Sequence, residues 1–269
     1  MIIDGRAIAT QIIAELQSNN KLFSGCKMIG ILVGDNLASF SFLREKKRTA
    51  TSLGIAFSIK KIAIPITEEM LVAKVRKLTG NPAVIGAIVQ WPIPIDGIDV
   101  QNVLNAVPYE KDIDCLSEQR AQEFYANPAV AYIAPPVVGA VKRILAHVGI
   151  SDICGKRMTI YGFGQLIGKP VNTWACSCGA EVAVLRRNST PAEITTAITN
   201  AEIIVTGVGV ANLIHVPDVQ PGTIVIDFGY PSNIDFVAAH ANGVIVTPTP
   251  GGTGPVLVAE LFRNLYTLK

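Results

Sequence analysis

Short apolar segments rich in isoleucine and valine alternate along this chain with longer segments in which apolar residues recur every three or four positions. The first pattern predicts buried β-strands and the second predicts amphipathic α-helices. The predicted strands are Met28–Val33, Phe57–Ile62, Val84–Val89, Met158–Tyr161, Val182–Leu185, Ile203–Thr206, Thr223–Asp227 and Val244–Val246. The predicted helices are Ala7–Gln17, Ser39–Leu53, Glu68–Thr79, Val100–Ala106, Val137–Val148, Val171–Cys178, Ala192–Thr199 and Val256–Tyr266.

This alternation predicts an α/β fold with parallel sheets, because strands that are apolar along their whole length are typical of sheets covered on both faces. The pattern is interrupted between about residues 115 and 135, and a Pro135-Pro136 pair then precedes a helix. We therefore predict two lobes, an N-terminal α/β lobe over residues 1–135 and a second lobe over residues 136–250. The C-terminal helix, within residues 255–269, is predicted to return to the first lobe.

Composition excludes several classes of protein. Hydrophobic residues make up 49% of the 269 residues and charged residues 16%, so a substantial core is available. The net charge of +2 is too close to zero to favour nucleic acid or a membrane surface as a partner. Apolar segments are shorter than the roughly 18 residues of a membrane helix, and the N-terminus lacks the pattern of a secretion signal. The 5 cysteines are scattered, which favours reduced thiols in a cytoplasmic protein over a metal site.

A glycine-rich turn lies between the strand Met158–Tyr161 and the helix that follows it. Its glycines are Gly162, Gly164 and Gly168. A turn of this kind lets a dinucleotide pyrophosphate approach the backbone, where the helix N-terminus favours the anion. The second lobe is therefore predicted to be a Rossmann-like NAD(P)-binding domain. The spacing is one residue longer than the usual fingerprint, so a purely structural turn is an open alternative.

Two arginines, Arg186 and Arg187, follow the next predicted strand at the place where a Rossmann domain that binds NAD carries an acidic residue. A guanidinium pairs with a 2′-phosphate, which a carboxylate repels, so the pair predicts NADP as the cofactor. Two solvated arginines on a loop are the alternative. Thr206-Gly207 follows another strand and is a weaker signal for backbone close to the nicotinamide ribose.

Candidate chemistry in the first lobe begins with Phe42 and Lys46, which share one helix face. We expect burial, together with the neighbouring cations Arg44, Lys47 and Arg48, to lower the pKa of Lys46, as a lysine base requires. A solvated basic helix is the alternative. The amide of Gln90 ends a buried strand, and Lys111-Asp112-Ile113-Asp114 places carboxylates in a loop. A solvated surface would also account for these charges.

Taken together, the motifs identify a family. In chain order they are Val33-Gly34-Asp35 with Ser39 and Lys46, Ile88-Val89-Gln90-Trp91-Pro92-Ile93-Pro94, Lys111-Asp112-Ile113-Asp114, Ile167-Gly168-Lys169-Pro170, Val225-Ile226-Asp227-Phe228-Gly229 and Thr247-Pro248-Thr249-Pro250-Gly251-Gly252-Thr253-Gly254-Pro255. The chain closely resembles, over essentially its whole length, the bifunctional methylenetetrahydrofolate dehydrogenase/methenyltetrahydrofolate cyclohydrolase family (FolD type). The resemblance implies NADP-dependent oxidation of 5,10-methylenetetrahydrofolate and hydrolysis of the product to 10-formyltetrahydrofolate, carried out by a homodimer formed through the nucleotide-binding lobe.

The resemblance also implies a role for individual residues. Lys46 handles protons in the hydrolysis, Gln90 orients Lys46, and Asp114 binds the polar edge of the pterin. Contacts to the folate are implied for Ser39, Phe42, Pro92, Gly251, Gly252 and Pro255. Contacts to the cofactor are implied for Gly162, Phe163, Gly164, Gly168, Arg186, Arg187, Thr206 and Gly207.

Four departures from the family pattern bear on the site. Phe42 replaces a tyrosine, Phe163 and Gly164 replace the usual arginine and serine of the glycine-rich turn, and Cys115 replaces a glycine. We expect a weakened or retuned hydrolysis step and fewer phosphate contacts from the turn. Retention of only one of the two activities, or of ligand binding without catalysis, are open alternatives.

Overall fold

The computed structural model describes residues 1–18, 23 and 25–269. The chain forms two compact units and passes between them more than once. The first unit comprises Gln11–Ala126, Tyr132–Pro136 and Val258–Lys269, and the second unit comprises Met1–Thr10, Asn127–Ala131 and Val137–Leu257. Each unit contains a parallel sheet with helices, so the predicted α/β fold of two lobes is confirmed.

The first unit is built on a 3-stranded parallel sheet. Its strands are β1 (Lys27–Val33), β2 (Ala56–Ile62) and β3 (Val84–Val89), in the spatial order β2-β1-β3. Its helices are α2 (Leu37–Ser52), α3 (Glu68–Thr79), α4 (Val100–Leu104) and α5 (Glu118–Ala126), and α1 (Gly5–Gln17) enters the unit at Gln11. A 3-10 turn, Tyr109–Lys111, precedes α5.

The central strand β1 is covered on both sides. Ile29 and Ile31 belong to one core cluster with Leu71 of α3. Gly30 lets α2 pack closely, because a Cβ at this position would lie 2.7 Å from a side-chain atom of Leu43. The close packing of α2 on β1 determines which face of that helix is buried.

The second unit is built on a 5-stranded parallel sheet in the order β5-β4-β6-β7-β8. The strands are β4 (Arg157–Tyr161), β5 (Glu181–Leu185), β6 (Ile203–Thr206), β7 (Ile224–Asp227) and β8 (Ile245–Val246). The helices are α6 (Pro136–His147), α7 (Gly168–Ser177), α8 (Pro191–Asn200) and α9 (Phe236–Ala241), with a 3-10 turn at Val216–Asp218. The chain crosses from β4 to β5 on one side and to β6 on the other, which is the topological switch of a Rossmann-like sheet.

The chain ends are shared between the units. Ile2 forms a parallel bridge to Val246, and the Ile3 N–H donates to the Val246 carbonyl at 2.9 Å. Met1–Thr10, which the sequence analysis assigned to the first lobe, therefore group with the second unit. Helix α10 (Thr253–Thr267) begins in the second unit and belongs to the first from Val258 onward, as predicted for the C-terminal helix.

Every predicted strand and helix is present, with ends displaced by a few residues. The largest displacements are at α7 and α10, which begin at Gly168 and Thr253 and so include glycines that the sequence analysis placed in turns. Two helices were missed, α5 and α9. In α5 the buried residues are Arg120 and Phe124, so a charged side chain occupies a position where the pattern expects an apolar one. Helix α9 is only 6 residues long, too short to display a period. Within the described part of the chain, no helix has the length and apolarity to cross a membrane.

Candidate active site

Lys46 lies on the buried face of α2. Ser39, Leu43, Lys46 and Ala50 are the buried residues of this helix, and they recur every three or four positions. Asn36 caps the helix by accepting a hydrogen bond from the Ser39 backbone N–H at 2.9 Å. The exposed fraction of Lys46 is 3%, so the alternative of a solvated basic helix is wrong at this residue.

Gln90 holds the Lys46 side chain through its amide oxygen. Lys46 Nζ donates a hydrogen bond to Gln90 Oε1 at 3.2 Å, and both side chains are buried. Gln90 Nε2 donates at 2.8 Å to the carbonyl of Trp91, which directs the oxygen of the amide towards the lysine. Gln90 follows the buried strand β3 directly, and its own backbone N–H donates to the Ile31 carbonyl at 2.9 Å. The amide is therefore fixed by the sheet.

Asp114 is the third member of the cluster and lies in the loop before α5. Its carboxylate oxygen is 3.9 Å from Lys46 Nζ, too long for a hydrogen bond, so the two groups interact through their charges. The loop is fixed by its neighbours in sequence. Lys111 Nζ donates to the carbonyls of Thr79 and Asn81, and Asp112 accepts hydrogen bonds from the backbone and hydroxyl of Ser117.

The charges of this loop are consequently not those of a solvated surface. Lys111 and Asp112 are buried and bind within the unit, and the carboxylate of Asp114 is left facing Lys46. Helix α10 supports the same loop, because Asn264 donates from its amide to the carbonyl of Ile113 at 2.9 Å. Cys115, which follows Asp114, has φ 58° and so adopts the left-handed conformation that favours glycine.

Burial is the main influence on protonation in the cluster. It lowers the pKa of Lys46, and the Asp114 carboxylate acts in the opposite direction. Burial also raises the pKa of Asp114, against the effect of Lys46. The neighbouring cations that we expected to lower the pKa of Lys46 do not contribute: Arg44, Lys47 and Arg48 are exposed. Burial thus disfavours the charged form of each group, and the opposite charge of its partner favours it.

The residues predicted to contact folate divide between the two units. In the first unit, the ring of Phe42 lies 4.8 Å from Lys46 Nζ, Ser39 is buried and Pro92 is exposed. The remaining three lie in the second unit: Gly251 and Gly252 are in the segment between β8 and α10, and Pro255 is in the first turn of α10.

That segment is tightly packed within the second unit. Gly251 has φ 100°, and a Cβ on Gly252 would lie 2.5 Å from the Pro248 carbonyl oxygen. A Cβ on Gly5 would lie 1.6 Å from the Gly252 carbonyl oxygen. The loop is also anchored by Thr253, whose hydroxyl donates to the Asp227 carbonyl at 2.9 Å. Glycine is required at these positions for close backbone packing.

The glycine-rich turn joins β4 to α7. Gly162 has φ 95°, and a Cβ on Gly168 would lie 1.9 Å from the Gly162 carbonyl oxygen. A Cβ on Gly164, in contrast, would meet nothing within 4 Å. The Lys169 N–H donates to the Gly164 carbonyl at 3.0 Å and closes the turn. Two of the glycines are thus needed by the turn itself, and the third leaves open space at its surface.

This turn suits a dinucleotide phosphate. Ile167 stands at the N-cap of α7 and makes no side-chain capping bond among the described residues. In the first turn of this helix the Lys169 N–H is bonded to Gly164 and Pro170 has no N–H, so the feature that favours an anion beside the open space at Gly164 is the positive end of the helix dipole. The residues present fit the phosphates of a nicotinamide cofactor.

The two arginines differ in their surroundings. The Arg186 guanidinium lies 4.2 Å from the centroid of the Phe163 ring, and the ring is half-buried. Arg187 is exposed. Phe163 was expected to contact the cofactor, but its contact with Arg186 was not predicted, because it joins the ends of two strands, β4 and β5.

The loop after β6 is held by a residue that the sequence analysis missed, Asn233. Its Oδ1 accepts from the Thr206 hydroxyl at 2.8 Å and from the Val208 N–H at 3.1 Å. Its Nδ2 donates to the carbonyls of Val208 and Val210 at 2.7 and 2.6 Å. Gly207 lies within the loop so fixed. No local pattern marks Asn233, because its bonds reach residues about 25 positions earlier in the chain.

Asp227 organises the same region from the end of β7. Its carboxylate accepts hydrogen bonds from the backbone N–H groups of Gly229 and Asn233 and from the Ser232 hydroxyl, each at 2.7 Å. Burial raises the pKa of this carboxyl, and the hydrogen bonds act in the opposite direction. Asp227 belongs to one of the family motifs, and no role was predicted for it.

Family models match almost the whole chain. The tetrahydrofolate dehydrogenase/cyclohydrolase catalytic domain matches residues 3–114, and the NAD(P)-binding domain of the same family matches residues 135–269. A curated relative, the bifunctional protein FolD of Limosilactobacillus reuteri, is 30% identical over 99% of this chain and 96% of its own length.

Solved structures of similar proteins have the same fold. One is the N5,N10-methylenetetrahydrofolate dehydrogenase-cyclohydrolase of Trypanosoma brucei in complex with NADP and an inhibitor. It superposes with a TM-score of 0.91 at 28% identity, covering 100% of this chain and 96% of its own. The 5,10-methylenetetrahydrofolate dehydrogenase of the silkworm Bombyx mori superposes with a TM-score of 0.89 at 28% identity, covering 100% of this chain and 97% of its own.

Proposed function

The chain belongs to the tetrahydrofolate dehydrogenase/cyclohydrolase family, and from this premise we propose that it catalyses both reactions of one-carbon folate metabolism. In the first, 5,10-methylenetetrahydrofolate is oxidised to 5,10-methenyltetrahydrofolate with NADP as the hydride acceptor. In the second, the methenyl compound is hydrolysed to 10-formyltetrahydrofolate. The single observation that carries the hydrolysis is the buried lysine, Lys46, held by Gln90 and facing Asp114.

Lys46 supplies the proton acceptor for the hydrolysis. Water adds to the cationic methenyl carbon and loses one proton to give a neutral adduct. The bond from that carbon to N5 then breaks as the remaining hydroxyl proton is transferred to N5 and the carbonyl forms, leaving the formyl group on N10. The reaction converts a cation into a neutral product and so releases a proton. A neutral amine can take that proton at Nζ, and burial favours the neutral amine. An ammonium group would instead repel the cationic substrate.

Gln90 and Asp114 act on either side of the lysine. We assign Gln90 the orientation of Lys46 Nζ, because its amide oxygen faces the lysine and its nitrogen is already bonded to Trp91. We propose that Asp114 binds the polar edge of the pterin, because a carboxylate accepts hydrogen bonds from the N–H groups there. Further folate contacts are proposed for Ser39, Phe42, Pro92, Gly251, Gly252 and Pro255.

The second unit is proposed to bind NADP, which supplies the hydride acceptor when bound. Gly162, Gly164 and Gly168 provide the backbone for the pyrophosphate, and Arg186 and Arg187 provide the charge for the 2′-phosphate. Thr206 and Gly207 belong to the loop proposed to contact the nicotinamide ribose. In domain terms, the first unit, with Gln11–Ala126, Tyr132–Pro136 and Val258–Lys269, is proposed to hold the catalytic residues for the folate chemistry, and the second unit to bind the cofactor.

A paired assay tests the proposal. The first arm follows reduced cofactor when 5,10-methylenetetrahydrofolate is mixed with NADP or with NAD. The second arm follows the loss of 5,10-methenyltetrahydrofolate in the absence of cofactor. Turnover in both arms, faster with NADP than with NAD, is expected. Absence of turnover in both arms would refute the proposed function.

A second candidate is an enzyme that retains the dehydrogenase and has lost most of the hydrolysis. The observation that favours it is Phe42, which places a ring without a hydroxyl beside Lys46. In this case only the first arm of the paired assay would proceed faster than the uncatalysed reaction. A Phe42→Tyr variant would then be expected to raise the rate of hydrolysis.

We further propose that the enzyme works as a cytoplasmic homodimer formed through the second unit. Strand β5 is at the edge of its sheet, and Val182 and Val184 on it are half-buried. An edge strand presents backbone groups with which another chain can pair. The cysteines of the described residues are free thiols, which suits a reducing compartment. Sedimentation equilibrium is expected to give twice the mass of one chain; a monomer at all concentrations would refute the dimer.

A further inference from the structure

Phe163 and Arg186 meet because their strands are neighbours. Strands β4 and β5 pair in parallel up to Tyr161 and Leu185, and the Gly162 N–H extends the ladder to the Leu185 carbonyl at 2.9 Å. Phe163 follows this point on one strand and Arg186 on the other. The guanidinium carbon lies 4.2 Å from the ring centroid, the distance of a stacked cation–π pair.

The backbone of Arg186 is also fixed. Its N–H donates to the Ser189 hydroxyl at 3.0 Å, and the Ser189 N–H donates back to the Arg186 carbonyl at 3.0 Å. A long, exposed side chain ordinarily loses rotamer freedom when it binds a ligand. An arginine whose backbone is held in a turn and whose guanidinium rests on a ring has lost part of that freedom before the ligand arrives.

We propose that Phe163 is a positioning residue for recognition of the 2′-phosphate, acting through Arg186. The Arg186 guanidinium carbon lies over the ring, and the N–H donors directed away from the ring can bind a phosphate bidentately. Phe163 thus contributes to cofactor choice without a polar atom of its own. The inference rests on the proposed use of NADP.

Binding of cofactor fragments tests this without the folate reaction. Calorimetric titration with adenosine 2′,5′-bisphosphate and with adenosine 5′-monophosphate isolates the 2′-phosphate. We expect Phe163→Leu to weaken binding of the bisphosphate about two- to fivefold, as the loss of an exposed cation–π contact implies, and to leave the monophosphate unchanged. Phe163→Tyr, which keeps the ring, is expected to bind as the native protein does. In the dehydrogenase assay, Phe163→Leu should raise KM for NADP and leave kcat unchanged.

Two controls test whether Phe163→Leu weakens bisphosphate binding through Arg186. The first is Phe40→Leu, the same chemical change at a ring that lies 4.3 Å from Lys61 Nζ in the first unit, which should not alter fragment binding. The second is the Arg186→Ala background, in which Phe163→Leu should have no further effect on the bisphosphate. If Phe163→Leu unfolds, Phe163→Met, of similar volume and without a ring, takes its place.

The outcomes separate the inference from the function on which it rests. Native protein that binds both fragments equally would refute the preference for NADP and the inference together. A native preference for the bisphosphate that Phe163→Leu leaves intact would overturn the inference alone. An equal loss in the native and Arg186→Ala backgrounds would show that Phe163 does not act through Arg186.

Discussion

Lys46 Nζ and Gln90 Oε1 are joined by a hydrogen bond of 3.2 Å between two buried side chains that lie 44 residues apart in the chain. The lysine comes from a helix and the glutamine from the end of a strand, so the bond depends on how α2 packs against the sheet. The hydrogen bond orients the amine. Burial lowers the pKa of the same amine, which favours its neutral form. Several experimental outcomes depend on this arrangement.

Removing the lysine should remove most of the hydrolysis. Lys46→Ala is expected to slow conversion of 5,10-methenyltetrahydrofolate by about 10²- to 10⁴-fold, the usual contribution of a positioned acid–base group. The matched control is Lys47→Ala, the same change at an exposed neighbour on the same helix, which should leave the rate unchanged. Hydrolysis that persists at the native rate in Lys46→Ala would contradict the assignment of Lys46.

The pH dependence of hydrolysis should move when Asp114 loses its charge. The rate is expected to rise with pH as Lys46 becomes neutral. The Asp114 carboxylate opposes the effect of burial and holds the pKa of Lys46 up. Asp114→Asn should therefore shift the rising limb to lower pH. The pKa of Lys46 can be measured directly by NMR with labelled lysine, with Asp96→Asn at an exposed position as the control. A shift to higher pH would contradict the proposed electrostatics.

The lowered pKa of Lys46 also predicts how the free energy of unfolding changes with pH. Because Lys46 has a lower pKa in the folded protein than its ordinary 10.5, the unfolded chain binds the proton more tightly. The free energy of unfolding contributed by Lys46 therefore rises as the pH increases from the lowered pKa towards 10.5. Urea titrations across this range should show the rise in native protein and a smaller one in Lys46→Met. Identical pH profiles for the two would contradict the lowered pKa.

Cofactor choice should depend on Arg187 as well as on Arg186. Arg187→Ala is expected to weaken NADP binding by about 1.5–3 kcal/mol, the range for a hydrogen bond to a charged group. NAD has no 2′-phosphate, so its affinity serves as the internal control and should change little. Equal losses for the two cofactors would instead indicate damage to the loop.

The glycines of the turn should separate into two kinds. Gly168→Ala is expected to destabilise the protein by at least ~1–3 kcal/mol, because its Cβ would lie 1.9 Å from the Gly162 carbonyl oxygen. Gly164→Ser should leave stability unchanged, since a Cβ there meets nothing within 4 Å. The added hydroxyl, which relatives of the resembled family carry, should tighten NADP binding by roughly 0.5–1.5 kcal/mol. Thermal unfolding and cofactor titration measure the two effects; a destabilised Gly164→Ser would contradict the open space.

Local patterns predicted the elements well and failed where a residue's role depends on another element. Apolar segments marked every strand of the described residues, most clearly β3, whose 6 residues are all buried, because a parallel strand covered on both faces is apolar along its length. It missed α5, where Arg120 occupies a buried position of the helix and its guanidinium lies 3.6 Å from the Tyr109 ring centroid. The apolar pattern predicts that an arginine is exposed, whereas Arg120 is buried against the Tyr109 ring and donates to the Tyr109 carbonyl and the Glu123 carboxylate.

The sequence by itself determined the fold class and the family, because these follow from the apolar pattern and from motifs that are contiguous in the chain, and it supplied the residues that we propose carry the chemistry. It could not decide whether Lys46 is exposed or buried, since a lysine on an amphipathic helix can lie on the solvent-facing side or on the side that packs against the sheet. Only the tertiary structure decided that question, through the packing of α2 on β1 and the convergence of Gln90 and Asp114 from distant segments. It likewise brought Phe163 under Arg186, because contact between them requires the order of the strands, which no local pattern contains.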